Sequence, residues 1–236
     1  MREKLTRCRL IVFLKLPIEG KVKTRLAHHL GPLVACQVYR QLVTRQLHEV
    51  KASKLSAVVY FAPEKRFISS LSLTGMIPGF EFHPQKGKDL GQRICQAFVS
   101  EYREGFDRII VIGTDCPSLS ADEIRKAFER LGNTKAVIGP TRDGGYYLLG
   151  LNFRSKPFSN IDLSSVRGAL WKLFEGIRWS QRKVFQQTCL RLKRGRIRFS
   201  VLSKKEDIDV RSDLNPANLN DLYPTSLGRK RAELSQ

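Results

Sequence analysis

Five segments of this sequence carry residues whose type and spacing could do chemistry. The first is Phe13-Leu14-Lys15-Leu16-Pro17-Ile18-Glu19-Gly20-Lys21-Val22-Lys23-Thr24-Arg25, which crowds Lys15, Lys21, Lys23 and Arg25 around a Pro and a Gly. Lysine is a compact point charge and arginine a two-pronged fork, so such a loop can wrap a di- or triphosphate. In a chain this basic, a merely solvated loop is the commoner alternative. The second is Gly113-Thr114-Asp115-Cys116-Pro117. A carboxylate leaving a strand here can hold Mg²⁺ or Mn²⁺, which would neutralise a nucleotide's phosphates. It could equally be a turn Asp bonding its own backbone. Gly113 stands where the first Asp of an Asp-x-Asp motif would be, so Asp115 acts without that neighbour.

The third is Asp143-Gly144-Gly145-Tyr146-Tyr147, between two apolar runs. Asp-Gly in that setting is a hairpin signal whether or not the turn has a function. The glycines would let a ligand approach the backbone, a Tyr could stack on a sugar or base, and Asp143 could take a proton from an acceptor hydroxyl. The fourth is Glu206-Asp207-Ile208-Asp209. On an extended chain its two Asp residues share one face, so either could add a metal contact; a solvated acidic turn is the plainer outcome. The fifth, Gly87-Lys88-Asp89-Leu90-Gly91-Gln92-Arg93, sets an Asp and an Arg at a helix start, where simple N-capping explains the Asp.

Other chemistries lack their usual support. Gly20-Lys21 is followed by Val22, so there is no Walker phosphate loop, and Gly-x-Gly-x-x-Gly, His-Glu-x-x-His and Gly-x-Ser-x-Gly are all missing. The five cysteines are scattered without a Cys-x-x-Cys pair, and the four histidines are not spaced around them as metal ligands. Free thiols in a reducing cytoplasm are the simplest expectation.

The elements that must position these segments follow from periodicity. Leu10–Leu16 is a nearly continuous apolar run, as expected of a strand covered on both faces. A polar stretch follows to Thr24, and Cys36, Tyr39, Leu42, Val43, Leu47 and Val50 predict a helix from Gly31 to about Val50. Further strands are expected at Leu55–Phe61, Phe80–His83, Ile109–Ile112, Ala136–Gly139, Tyr146–Leu151 and Arg196–Leu202. Helices are expected from Asp89 to about Tyr102, from the capping box Ser120/Glu123 onward, as a basic helix to about Arg194, and over Asn215–Tyr223. Phe153–Ser180 is mixed in pattern. Strands alternating with helices and then hairpins imply an α/β sheet, parallel at its centre, with a ligand crevice at the carboxyl ends of its strands.

With 236 residues the chain suits one domain over residues 1–223, ending in a polar, flexible tail over 224–236. The hydrophobic fraction of 42% excludes disordered and fibrous classes, and the apolar run at Leu10–Ile18 is too short and interrupted to span a membrane. No leader-like cleavage site follows it. Forty-two Lys and Arg against 22 Asp and Glu give a net charge of +20, which attracts anions: nucleotides, phosphorylated metabolites or nucleic acid.

Taken in order, these motifs resemble a bacterial glycosyltransferase-A-type family. Its members are described as radical-SAM/selenodomain-associated or arsenosugar-biosynthesis transferases, distant cousins of the molybdenum-cofactor and phospholactate guanylyltransferases. The resemblance runs through the Lys15–Leu26 loop, Asp89-Leu90-Gly91-x-Arg93, Gly113–Pro117, Gly139-Pro140-x-x-Asp143-Gly144-Gly145-Tyr146-Tyr147-Leu148-x-Gly150, Trp179-Ser180, Thr188 and Asp207-Ile208-Asp209 with Asp213-Leu214. It covers roughly residues 9–222. It implies an α/β fold with the Rossmann-like mixed sheet of nucleotide-diphospho-sugar transferases. It further implies that Lys15, Lys23, Thr24 and Arg25 line the phosphate side, with Asp89 and Arg93 near the nucleotide. Asp115 would hold Mg²⁺ or Mn²⁺ with Asp209 as a second ligand. Asp143 would be catalytic together with Asp115, and Gly144, Gly145, Tyr146 and Trp179 would face the sugar or acceptor. Gln181 departs from the Thr expected after Trp-Ser, and Ser155–Ala169 is longer than the pattern.

The leading expectation is therefore a cytoplasmic, metal-dependent transferase moving a sugar from a nucleotide sugar to a small-molecule acceptor. Nucleotidyl transfer from a nucleoside triphosphate to a phosphorylated metabolite, releasing pyrophosphate, is the second. A nucleic-acid-binding protein on an enzyme-like scaffold is third, because the aromatic residues fall mostly in apolar runs rather than among the basic ones.

Overall fold

The computed structural model describes residues 7–63, 79–159, 161–179, 181–210 and 213. Seven strands form one sheet in the order β3-β2-β1-β4-β6-β5-β7. They are β1 (Cys8–Lys15), β2 (Ala57–Ala62), β3 (Glu81–Pro84), β4 (Arg108–Ile112), β5 (Ala136–Pro140), β6 (Tyr146–Asn152) and β7 (Phe199–Val201). β1 pairs in parallel with both β2 and β4, and β2 with β3. β6 runs antiparallel to its neighbours β4 and β5, and β7 is parallel to β5. The sheet is thus mostly parallel with one reversed strand, as the alternation of elements predicts.

Helices cover both faces: α1 (Thr24–Leu30), α2 (Pro32–Ala52), α3 (Leu90–Arg103), α4 (Ala121–Asn133), α5 (Leu163–Phe174) and α6 (Val184–Arg194). Successive strand residues point to opposite faces, and the core divides accordingly. Leu10, Val12, Val59 and Ile110 pack beneath α2 and α4, while Ile11, Val58, Ile109 and Val111 pack beneath α3, α5 and α6. Ser120 and Glu123 form the expected capping box of α4, and the Asp89 side chain accepts from Gln92 N at the start of α3. α1 is not expected from the sequence, since seven residues with two buried leucines, Leu26 and Leu30, are too short to display a period. α5 lies inside the stretch of mixed pattern and is capped by Asp162. The expected closing helix at Asn215–Tyr223 and the tail fall outside the described residues.

The connections decide where a ligand can sit. From β1 the chain passes by α2 to β2 on one face of the sheet; from β3 it returns by α3 to β4 on the other. β1 and β4 are neighbours whose crossovers leave in opposite directions, the arrangement in which open α/β sheets take a ligand in a crevice at the strands' carboxyl ends. The basic loop follows β1 and the Asp115 turn follows β4. No helix among the described residues is long and apolar enough to cross a membrane. All five cysteines are free.

Gly150 shows how tightly the sheet centre is filled. It faces Ile110 on β4 and Val137 on β5, and a methyl group there would lie 2.7 Å from Ile110 Cγ1 and from Val137 Cγ2. Gly150→Ala should therefore destabilise the protein by about 1–3 kcal/mol through overpacking, measured as a lower urea midpoint at unchanged slope.

Candidate active site

The site is built outward from one tyrosine. Tyr39 lies in the apolar stripe of α2 with 4% of its surface exposed, and a buried phenol needs partners for its oxygen. Its hydroxyl accepts from Lys15 N at 2.9 Å and lies 3.3 Å from Thr114 Oγ1. One side chain thereby ties the end of β1 to the turn after β4. Burial first, and then the charge of Asp115, raises the phenol pKa, so it stays protonated.

Beyond Lys15 the chain turns back sharply, with Lys21 N donating to Ile18 O at 3.0 Å and buried Val22 anchoring the return. Lys23 then adopts φ 47°, ψ 45° at the start of α1, the left-handed region that few non-glycine residues occupy. That conformation turns the side chain inward. Nζ reaches Asp115 Oδ1 at 2.6 Å and Asp209 Oδ1 at 3.2 Å, with only 4% of the side chain exposed. Burial works to lower the lysine pKa, but the two carboxylates outweigh it and the pKa is raised. Arg25, more than half exposed, adds a longer contact from Nη1 to Asp209 Oδ2 at 3.5 Å.

Asp209 arrives from the far end of the sequence by backbone and apolar anchoring. Past β7 the chain continues alongside β5: Lys205 N donates to Pro140 O, and Arg142 N donates to Lys205 O, both at 3.0 Å. Ile208 N donates to Asp115 O at 3.0 Å, while its side chain is buried with Leu26, Leu30, Val34 and Val38 of α1 and α2. Ile208 therefore fixes Asp207 and Asp209 beside the crevice. Asp213 Oδ2 accepts from Asp209 N and Val210 N at 2.7 and 2.8 Å, closing the turn. The Asp207 carboxyl is pushed up to about 7, by burial first and then by the negative charges of Asp143 and Asp115, with Lys23 opposing them. Asp115, Asp143, Asp207 and Asp209 thus share one electrostatic neighbourhood.

The remaining sequence-derived candidates have visible structural duties. Asp143 Oδ1 accepts from Gly145 N at 2.9 Å and from the Thr141 hydroxyl, so this oxygen is engaged within its own turn. Gly144 has φ 94°, and a Cβ there would lie 1.9 Å from Arg182 O, so the backbone it admits is that of residue 182. Gly145 is half-buried beside it. The Tyr146 ring packs into the core beneath α3, α5 and α6, and its hydroxyl is buried. Trp179 packs against Phe174 and over Gly91, on the same helix start as Asp89 and Arg93. Asp89 caps that helix, and Arg93 Nε donates to Gly87 O at 3.0 Å. Lys15 and Thr24 are exposed at the mouth of the crevice. Two groups thus emerge: Lys23, Arg25, Asp115 and Asp209 in direct contact, and Trp179 with the start of α3.

Among the described residues no group of three or more His, Cys, Asp or Glu has metal-binding geometry. A magnesium site, however, commonly rests on one or two carboxylates plus phosphate and water. Asp115 and Asp209 meet that description, because both already converge on a single cation from different parts of the chain. Asp115 Oδ1 is engaged by the Lys23 ammonium at 2.6 Å, so an ion would meet the two carboxylates, each about half exposed, beside that contact.

Sequence reasoning passed over Tyr39, reading it only as one apolar position of a helix. Its hydroxyl among buried neighbours was the available signal, since a core phenol must find partners. Tyr39→Phe should cost about 1–2 kcal/mol of stability, because Lys15 N–H is left unpaired. Equilibrium urea unfolding checks the loss. A second expected outcome is weaker nucleotide binding, as the two loops lose their shared tie.

Similarity to other proteins agrees with this architecture. A crystal structure from Desulfovibrio desulfuricans G20, provisionally described as a nucleotide-diphospho-sugar transferase, superposes with a TM-score of 0.81 at 28% identity, covering 97% of this chain and 96% of the other. A cytidylyltransferase from Leptospira borgpetersenii shares the fold at 13% identity, with a TM-score of 0.57 over 98% and 97% of the two chains. Rv0371c from Mycobacterium tuberculosis H37Rv in complex with manganese gives a TM-score of 0.50 at 12% identity, over 88% and 96%. The fold is that of nucleotide-diphospho-sugar transferase structures. No curated protein matches the sequence. Residues 46–181, more than half of the chain and including Asp89, Asp115, Asp143 and Trp179, match a family described as an uncharacterized protein conserved in bacteria, DUF2064, and the chain belongs to that family.

Proposed function

We propose that this protein is a transferase acting on a nucleotide-activated donor, and that its reaction is glycosyl transfer from a nucleotide sugar to a small acceptor. The observation that carries the reading is the convergence of Lys23, Asp115 and Asp209, from three distant segments, at the carboxyl ends of β1 and β4. The 28%-identical structure described as a nucleotide-diphospho-sugar transferase supports it.

The roles follow from charge. Lys15 and Arg25 are cationic, exposed and beside the crevice, so they hold the donor's phosphates, with Lys23 supplying charge from beneath and Thr24 beside them. Asp89, Arg93 and Trp179 border the nucleotide and sugar from the start of α3. In the reaction the bond from the anomeric carbon to the phosphate oxygen breaks, and a bond to the acceptor oxygen forms. Negative charge then builds on the departing nucleoside diphosphate, where fixed cations stabilise it most. Asp143 receives the acceptor's hydroxyl proton at Oδ2, its other oxygen being engaged in the turn, while Gly144, Gly145 and Tyr146 shape the acceptor side. Asp115 and Asp209 are the residues that would hold Mg²⁺ or Mn²⁺. When bound, the ion supplies further charge stabilisation at the leaving phosphate. The manganese complex of a protein sharing the fold is consistent with that pair.

Nucleotidyl transfer is the second reading. Four cations in one loop suit a triphosphate, and a cytidylyltransferase shares the fold. Thermal-shift measurements with Mn²⁺, setting nucleotide sugars against nucleoside triphosphates, separate the two. A ligand present at a hundred times its Kd stabilises by about 2.7 kcal/mol. The expected outcome is a larger rise in Tm with one nucleotide sugar than with its matching triphosphate. A larger rise with a triphosphate, together with pyrophosphate as product, would replace glycosyl by nucleotidyl transfer. A panel without any shift would remove both.

Asp115→Asn should keep the fold and lower metal-dependent turnover by at least about 100-fold, as expected for loss of a group that stabilises transition-state charge. Full activity in that variant would exclude Asp115 from the metal site.

A further inference from the structure

The charge of +20 is not spread evenly over the chain. Between Leu163 and Val201 there are ten Lys and Arg and one acidic residue, Glu175. This stretch includes α5 and α6, which lie with α3 on one face of the sheet, and the edge strand β7. Lys172, Arg178, Lys193, Arg194 and Arg196 are exposed there, and among the described residues none of them forms an ion pair. The opposite face behaves differently: on α4, Arg125 pairs with Asp122, and Glu123 pairs with Lys205 at 2.7 Å.

Two concavities bound this basic face, one at each edge of the sheet. At the β3 edge a cleft of about 270 Å³ is lined by Lys86, Arg103 and Arg167, together with His83 and Tyr60. Its nearby carboxylates are already used: Glu81 and Glu101 each take a 2.8 Å bond from Arg9. Among the described residues Lys86, Arg103 and Arg167 form no ion pair, while His83 Nε2 lies 2.8 Å from Glu81 Oε1. At the β7 edge a shallower concavity of about 460 Å³ is lined by Lys193, Arg196 and Arg198 around Phe199. Each concavity sets an aromatic ring among cations, although Phe199 and His83 belong to apolar strand runs in the sequence. With neighbouring strands about 4.8 Å apart, the two edges of the seven-stranded sheet stand on the order of 30 Å from each other.

We propose that this face binds single-stranded nucleic acid, with the phosphate backbone crossing α5 and α6 between the two concavities. Cations that track a backbone, interleaved with rings on which bases stack, are what sequence-tolerant single-strand binding requires. Seven of the ten basic residues are arginines, whose planar groups both fork to phosphate and stack on bases. An anionic membrane would favour a continuous exposed apolar face, whereas on α6 Leu190 is the exposed large apolar residue among the cations. The two concavities are lined by residues other than those assigned to the transferase site, so the proposal stands independently of the transferase reading.

Fluorescence anisotropy of a fluorescein-labelled 20-nucleotide poly(U) RNA, titrated with the full chain from 50 to 300 mM KCl, tests the proposal. Three double variants of exposed residues keep the change in net charge equal. Lys193→Gln/Arg196→Gln removes charge at one edge and Arg103→Gln/Arg167→Gln at the other. Lys51→Gln/Lys126→Gln removes it on the opposite face. The expected result is salt-dependent binding that each edge variant weakens about 5- to 10-fold, with the slope of log affinity against log salt falling by about 1.4 for two lost phosphate contacts. The opposite-face variant should bind as the parent does. Equal weakening by all three variants would overturn the proposal in favour of undirected attraction by net charge. Absence of RNA binding at 50 mM KCl would overturn it, and so would a preference for phosphatidylserine vesicles over the RNA in the same titration. Circular dichroism of each variant confirms that a lost signal is not lost fold.

Discussion

An ammonium group taken almost wholly out of water must be matched by negative charge, and among the described residues Lys23 meets that requirement through Asp115 and Asp209. Leaving such a cation unpaired would cost on the order of several kcal/mol. The pairing therefore constrains three loops at once: the one after β1, the turn after β4 and the segment after β7. Neither carboxylate is fully buried, so the contribution to stability is modest; what the interaction fixes is position. The left-handed backbone at Lys23 is local strain at the candidate site, held by the contacts its side chain makes.

Two neutral residues make that charge arrangement reproducible. Tyr39 reaches from α2 to both the β1 end and the β4 turn, and Ile208 plugs the returning segment into α1 and α2 while its N–H bonds to Asp115. The site is thus held by a phenol and an aliphatic side chain, each secured by burial, whereas the charged groups that would meet a ligand remain partly open. This division suits a site that must change its electrostatic partners when a polyphosphate arrives. Burial, and then the negative charges of Asp143 and Asp115, raise the pKa of Asp207 within the same group.

Legibility followed the length over which each signal acts. β1, β4, α2 and α4 announce themselves through continuous apolar runs, a helical stripe and a capping box, all of which need only a few neighbouring residues. α1 is too short for its period to register, and α5 mixes its polar and apolar residues within one irregular stretch. Among the candidate residues, the basic loop and Asp115 stand out by type and by the strand each follows. Asp89 shows the opposite case, where the plain reading as a helix cap holds in the structure. Gly144 shows a third, in which close approach is indeed required but the neighbour is the backbone of Arg182.

The sequence by itself determined the α/β alternation and the set of charged residues that follow its strands, because these depend on local periodicity and side-chain chemistry. Only the tertiary structure decided which charges meet. Lys23 and Asp209 are separated by most of the chain, and their contact depends on strand order and on buried anchors that no local pattern encodes. The same holds for the basic face: the cations are plain in the sequence, but their gathering on one side of a twisted sheet is a consequence of how α3, α5 and α6 pack.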